Sequence, residues 1–299
     1  MATEANNPER PRRAIVLSGG GARGAYEIGV LRALDEHGIT FDLAFGTSVG
    51  SINAAFYAQG KLDRLEDLWL RLKPTDVFRL PTLTQLQNMI YGHRWGLLDT
   101  SPLEDLLHRE MDLLSFKASP TKVGFIATDL CTLETRLVTA DDITSTAELV
   151  DALMASAAIP LLFPTRNING TGCWIDGGLV RNTPIETAIA MGAREIYIVL
   201  VQAETDGACP TSIIQLLARI SDILLYASAR DGIRRVVELN KMISSSDSEE
   251  VQNPHLKLVV FQPQTRVSFT LLEFNPAHAQ KMIDWGYEDA LRIIQNAAE

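Results

Sequence analysis

AIVLSGGGARGAYEIGVLRALDEHG, residues 14–38, decides the fold class. Ala14–Leu17 is a short apolar run of the kind a strand buried on both faces requires. Three glycines, Gly19, Gly20 and Gly21, follow almost at once. Ile28, Leu31 and Leu34 then recur at helical spacing, and Gly38 supplies a stop. FDLAFGTSVGSINAAFYAQG, residues 41–60, repeats the order: a strand over Phe41–Phe45, a tight turn, a helix over Val49–Gln59, then Gly60. Strand, turn and helix twice in sixty residues predict an α/β fold. Its expected form is three layers, with a mostly parallel central sheet flanked by helices.

Residues 61–120 break this rhythm with Pro74, Pro81, Pro102 and Pro120. They read as a helical insertion over the sheet, either one wall of a pocket or an ordinary packed layer. Lys122–Asp129 and Leu133–Thr139 alternate as a strand pair, Thr146–Ala157 is helical, and Trp174-Ile175 is a brief strand end. Asn182 precedes Pro184 as the cap of another helix, and Glu195–Val201 is a further buried strand. Ser212–Leu239 is long and amphipathic, with Ile213, Leu216, Leu217, Ile220, Leu224 and Ala227 on one face, expected to pack on the sheet, with contact to a membrane or a partner as the alternative. The expected organisation is a disordered leader over 1–13 and one α/β domain over 14–299.

Composition narrows the function classes. The 299 residues are 46% hydrophobic with a formal net charge of -10. That balance excludes nucleic-acid binding through a basic surface and opposes passive attraction to anionic lipid. The three cysteines show no CxxC or metal spacing and read as small apolar fillers in a reduced, cytoplasmic setting. The longest apolar stretch, Ala152–Phe163, falls short of the ~20 residues a spanning helix needs. A soluble protein with at most a transient contact to a membrane surface is expected.

Gly46-Thr47-Ser48-Val49-Gly50 matches G-x-S-x-G between a predicted strand and a predicted helix. A sharp turn there forces Ser48 into strained backbone and projects its hydroxyl above the sheet, with a helix N-terminus favouring nearby negative charge. Ser48 is therefore the candidate nucleophile. Gly19–Gly24 also satisfies the dinucleotide fingerprint G-x-G-x-x-G, which wants an acidic residue ~20 positions on at the end of the second strand. Asp42 stands at that strand's start instead, and its end carries Ser48. The glycines read better as an oxyanion hole: Gly19, Gly20 and Gly21 offer bare amides to an anionic oxygen, and Arg23 adds charge or fixes the loop.

A base is needed. His278 completes the order Ser48, Asp176, His278 of a hydrolase triad, but it lies at the start of the closing helix, Pro276–Asn296. Asp176 has the stronger setting, at a buried strand end followed by Gly177 and Gly178. A partly desolvated carboxylate there has a raised pKa and can accept the serine proton. No metal or cofactor is required by this chemistry.

These blocks resemble those of the patatin-like phospholipases, over roughly residues 14–201. The glycine block is Gly19–Gly24 and the nucleophile block Gly46–Gly50. A third resembles Ala155-Ser156-Ala157-Ala158-Ile159-Pro160 with Phe163-Pro164, and a fourth, D-G-G-x-x-x-N-x-P, is Asp176–Pro184. The resemblance implies a lipid acyl hydrolase with a Ser–Asp dyad and no histidine: Ser48 as nucleophile, Asp176 as base and the glycine loop as oxyanion hole. Its substrate would be a phospholipid or other acyl-ester lipid. A triad esterase or thioesterase, and a lipid-binding regulator without turnover, stand as alternatives.

Overall fold

The continuously apolar runs form the parallel strands, and more polar segments join them in one sheet. The computed structural model describes residues 12–83, 87, 96–168, 170–201, 209–244, 256–265, 267 and 269–298. Most of the expected leader, residues 1–11, lies outside these, as do residues 84–86 and 88–95 of the expected insertion. The strands are β1 (Arg13–Leu17), β2 (Leu43–Thr47), β3 (Lys122–Asp129), β4 (Thr135–Thr139), β5 (Arg166–Ile168), β6 (Thr171–Asp176), β7 (Glu195–Val199) and β8 (Lys257–Phe261). Their order is β5-β6-β3-β2-β1-β7-β8, with β4 also paired to β3. The run β3-β2-β1-β7-β8 is parallel, and β4, β6 and β5 add antiparallel pairs at one side.

The helices are α1 (Ala25–Glu36), α2 (Val49–Ala58), α3 (Leu62–Trp69), α4 (Pro74–Val77), α5 (Ser101–Glu110), α6 (Leu113–Lys117), α7 (Thr146–Ser156), α8 (Gly178–Arg181), α9 (Ile185–Ala190), α10 (Ile213–Ser244) and α11 (Pro276–Ala298). Two apolar clusters fill the layers. Ile15 and Leu17 point into one with α1, α2 and α11, while Ala14 and Val16 point into the other with α9. This alternation along β1 is the period-two geometry of a strand covered on both faces, and it gives the expected three layers.

Glycine decides how closely α11 approaches α1. A Cβ on Gly29 would lie 1.9 Å from the Ile283 carbonyl oxygen, and one on Gly286 would lie 2.1 Å from the Tyr26 carbonyl oxygen. Each helix thus presses a glycine against the other's backbone, with no side chain able to yield.

Three expectations require correction. The face of α10 expected to pack is exposed instead: Ile213, Leu216, Ile220 and Leu224 face outward, and Ala218, Ser221, Asp222, Leu225 and Ala229 are buried. The cause is the buried ion pair of Asp222 with Arg23 and the seating of Leu225 on Gly178, which fix the helix's rotation. Asn182 is not the N-cap expected: it stands at the C-terminal cap of α8, α9 starts after Pro184, and the Asn182 side chain crosses to Gly19. Of the cysteines, Cys131 and Cys209 are exposed and Cys173 is half-buried, so they are not core fillers.

Gly286→Ala should push α11 off α1. Overpacking of this kind costs about 1–3 kcal/mol, so the thermal midpoint followed by circular dichroism should fall by several degrees. An unchanged midpoint would mean the crossing has slack.

Candidate active site

The strand β3 brings the two candidate catalytic residues together. β4 occupies one edge of β3 over Gly124–Thr128. The other edge is shared: β2 pairs with it up to Thr47 opposite Ile126, and β6 takes over with Asp176 opposite Ala127. β2 runs parallel to β3 and β6 antiparallel, so their C-terminal ends meet head to head. Ser48 leaves one end and Asp176 closes the other.

Ser48 stands between β2 and α2 with φ 56° and ψ -130°, a conformation costly for a side chain larger than glycine. The neighbours hold it there. A Cβ on Gly46 would meet the Gly50 carbonyl oxygen at 2.3 Å, and one on Gly50 would meet that of Leu17 at 2.4 Å. The Ser48 amide donates to Ser156 Oγ at 3.1 Å, and Ser156 Oγ donates to the Ile126 carbonyl at 2.7 Å. Ser51 Oγ donates to the Ser48 carbonyl at 2.6 Å. Ser48 is 3% exposed and Asp176 2%.

Asp176 accepts a hydrogen bond from the Gly178 amide at 2.7 Å on Oδ1, and the Ser48 hydroxyl lies close enough to favour its charged form. Burial disfavours that charged form and pushes the pKa up to about 6, against the downward pull of these two neighbours. A Cβ on Gly178 would stand 3.0 Å from Asp176 Oδ1, so the turn after the carboxylate has to be bare.

The glycine loop lies directly over Ser48. A Cβ on Gly19 would be 2.8 Å from that of Ser48. Asn182 clamps the loop: its Oδ1 accepts from the Gly19 amide at 2.8 Å, and its Nδ2 donates to the carbonyls of Gly19 at 3.3 Å and Leu225 at 3.2 Å. The Gly19 amide is thereby occupied. The amides of Gly20 and Gly21 have no hydrogen-bond partner among the described residues. Gly21 has φ 58°, and the next amide, that of Ala22, is anchored to the Leu271 carbonyl at 2.8 Å. Arg23 points away, donating to both Asp222 oxygens at 2.7 and 3.0 Å and to the Phe269 carbonyl at 3.0 Å. Of its two sequence readings, the geometry supports fixing the loop.

Beneath the loop lies a polar network that the sequence did not disclose. Asn53 Nδ2 donates to Glu27 Oε2 at 2.7 Å and to the Gly24 carbonyl at 3.1 Å, while Trp69 Nε1 donates to Asn53 Oδ1 at 3.2 Å. Glu27 is fully buried, which holds its carboxyl well above the ordinary range. It ties the helix after the glycine loop to the helix after Ser48.

Asp42, weighed above as a ribose ligand, accepts from the Arg13 amide at 2.8 Å at the far end of the strand. His278 stacks on Phe269, with ring centroids 4.4 Å apart, and is not among the partners of Asp176. Among the described residues no group of three or more His, Cys, Asp or Glu could hold a metal ion.

A cavity opens at Ser48 and Gly21. Its walls are almost wholly apolar: Leu65, Leu68 and Trp69 from α3, Leu72 from the segment after it, Val77 from α4, and Leu103, Leu106 and Leu107 from α5. Ile52 and Phe56 come from α2, and Leu271, Leu272 and Phe274 close it from the segment before α11. The insertion over 61–120 is thus one wall of a pocket, the first of its two sequence readings. Sequence reasoning reached Ser48, Asp176 and the glycines. It missed the part played by Ser156 and Asn182, although both stand in the quoted blocks, because their spacing does not say which distant backbone they reach.

A strained serine on a strand-to-helix turn, a carboxylate at a second strand end and a glycine loop above them define a recognised arrangement. The sequence model of the family "Patatin-like phospholipase" matches residues 15–189, and the chain belongs to that family. Among similar proteins, Lysophospholipase NTE1 of Mycosarcoma maydis is 26% identical over 197 residues, 64% of this chain and 10% of that protein. Patatin-like phospholipase domain-containing protein ZK370.4 of Caenorhabditis elegans is 30% identical over 185 residues, 60% of this chain and 13% of that one. The chain thus spans about a tenth of the length of these curated relatives. Among solved structures, VipD from Legionella pneumophila is similar at 14% identity and a TM-score of 0.47, covering 96% of this chain and 67% of that chain.

Asn182→Ala should free the glycine loop to drift from Ser48. A displacement near 1 Å costs up to ~10²-fold in rate. Ester-hydrolysis kinetics should show the loss in kcat, with KM little changed. A variant with full kcat would remove Asn182 from the site's framework.

Proposed function

We propose that this protein is a serine lipid acyl hydrolase, of the phospholipase A, lysophospholipase or esterase type. The observation that carries the reading is the buried Ser48–Asp176 pair, brought together by the ends of β2 and β6 at the mouth of an apolar cavity. Ionised Asp176 takes the Ser48 proton, and Ser48 Oγ attacks the ester carbonyl carbon. The oxyanion receives the free amides of Gly20 and Gly21, each worth about 3 kcal/mol in the transition state. Collapse expels the alcohol, which takes its proton back from Asp176, and leaves an acyl-serine. Water then gives a proton to Asp176 and attacks that ester. The fatty acid departs and Ser48 is reprotonated. The acyl chain lies along the cavity, whose lining offers it no polar competition.

Two observations favour the dyad over a histidine triad: Asp176 faces Ser48 itself, and His278 is engaged with Phe269. Against binding without turnover stands the strained backbone of Ser48, which a passive lipid site does not need. The relatives described as lysophospholipases make a lysophospholipid the first substrate to try.

Ser48→Ala should reduce release of fatty acid from lysophospholipid to background while leaving the circular dichroism spectrum intact. It should also abolish fluorophosphonate labelling. Retained activity in purified Ser48→Ala protein would sink the reading. Because Asp176 must be ionised to accept a proton and its pKa stands at about 6, kcat/KM should rise with pH through that value and level off above it. A profile flat from pH 5 to 8, at constant substrate ionisation, would show that another group is the base.

A further inference from the structure

The outward side of α10 carries a pattern that the catalytic reading does not use. Ile213, Leu216, Ile220, Ile223 and Leu224 recur at helical spacing and are all exposed, Ile213 at 64% and Ile223 at 61%. Val180 of α8, also exposed, adjoins this stripe across the Ser228 Oγ–Val180 carbonyl hydrogen bond of 3.1 Å. A contiguous apolar face on one helix is an interaction surface rather than ordinary surface scatter. Charge follows it along the same helix. Arg230, Arg234, Arg235 and Lys241 outnumber Asp231 and Glu238 in a chain whose net charge is -10; Arg234 pairs with Asp231 at 3.2 Å and Arg235 with Glu186 at 3.6 Å, both in exposed contacts of the weak kind that a phosphate can replace. Arg230 lies over the Tyr226 ring at 5.6 Å. With Arg234 it edges a groove floored by Leu200 and Ile233.

We propose that α10 seats this protein on a bilayer containing anionic phospholipid. The apolar stripe enters the interface, and the arginines meet phosphate headgroups. An amphipathic helix with an apolar face, a tyrosine at its border and neighbouring cations lies in an interface in this way. Charge complementarity selects lipid over a second copy of the chain, which in a symmetric contact would set these arginines against their own equivalents. The opposite face of α10 meets the site: Asp222 holds Arg23, and Leu225 both seats on Gly178 and accepts from Asn182. One helix diameter, about 10 Å, therefore separates the glycine loop from the lipid.

The purpose of this surface rests on the acyl-hydrolase reading, but its test does not. The full chain carrying Ser48→Ala should co-sediment with phosphatidylcholine vesicles containing phosphatidylglycerol, and less with phosphatidylcholine alone. Adding Ile220→Glu with Ile223→Glu should lower binding by roughly tenfold or more, since two apolar side chains are lost from the interface. Adding Arg230→Ala with Arg234→Ala should erase the preference for anionic vesicles. With Ser48 intact, the Ile220→Glu, Ile223→Glu chain should hydrolyse a soluble short-chain ester at the parent rate. No sedimentation of the Ser48→Ala protein, or sedimentation indifferent to the glutamates, overturns the proposal. So does a dimer in size-exclusion chromatography that the glutamates dissolve. Failure to hydrolyse the soluble ester would instead fall on the catalytic reading.

Discussion

The structure depends on one shared sheet edge. β3 offers a single row of backbone groups, and β2 and β6 divide it between Ile126 and Ala127. Side chains alternate and strand ends cannot slide without losing ladder bonds, so this register sets the approach of Ser48 to Asp176 to within a residue. The same strand reaches further: its Ile126 carbonyl accepts from Ser156, whose hydroxyl in turn holds the Ser48 amide. Backbone pairing, rather than side-chain packing alone, positions the Ser48–Asp176 pair.

Around that edge the molecule places groups that would be costly elsewhere. Two buried carboxyls, Asp176 and Glu27, are both pushed upward by desolvation. Their surroundings differ: Asp176 faces Ser48, whereas Glu27 lies under the loop with Asn53. Arg23, buried as well, is neutralised by Asp222 on α10. Breaking a buried pair of that kind leaves an uncompensated charge, which typically costs 3–5 kcal/mol, so the glycine loop and α10 are tied rigidly.

Much of this was legible in the sequence, because local signals and function coincide there. The run Ala14–Leu17 and the turn at Ser48 follow from apolar runs and glycine positions, and both α1 and α2 lie within a residue or so of their expected limits. β2 was less well placed: it ends at Thr47 rather than Phe45, since its last residues are polar or small yet still pair with β3. The rotation of α10 was not legible. Its apolar side promised burial, but a buried ion pair and a glycine contact, both set by distant residues, turned that side outward. Asn182 failed for a related reason: beside a proline it looks like a helix cap, and only the fold shows Gly19 within its reach. Pattern gives periodicity, while the choice among partners far apart in the chain belongs to tertiary structure.

The cavity wall and the candidate catalytic pair come from different stretches of chain. The register of β2, β3 and β6 holds Ser48 and Asp176, whereas Leu65, Trp69, Leu103 and Leu107 belong to helices of the insertion over 61–120. Under the acyl-hydrolase reading, the reaction and the ruler that measures the fatty chain are separable modules. Selectivity for chain length could then drift, or be engineered by grafting a different insertion, on an unaltered chemical engine.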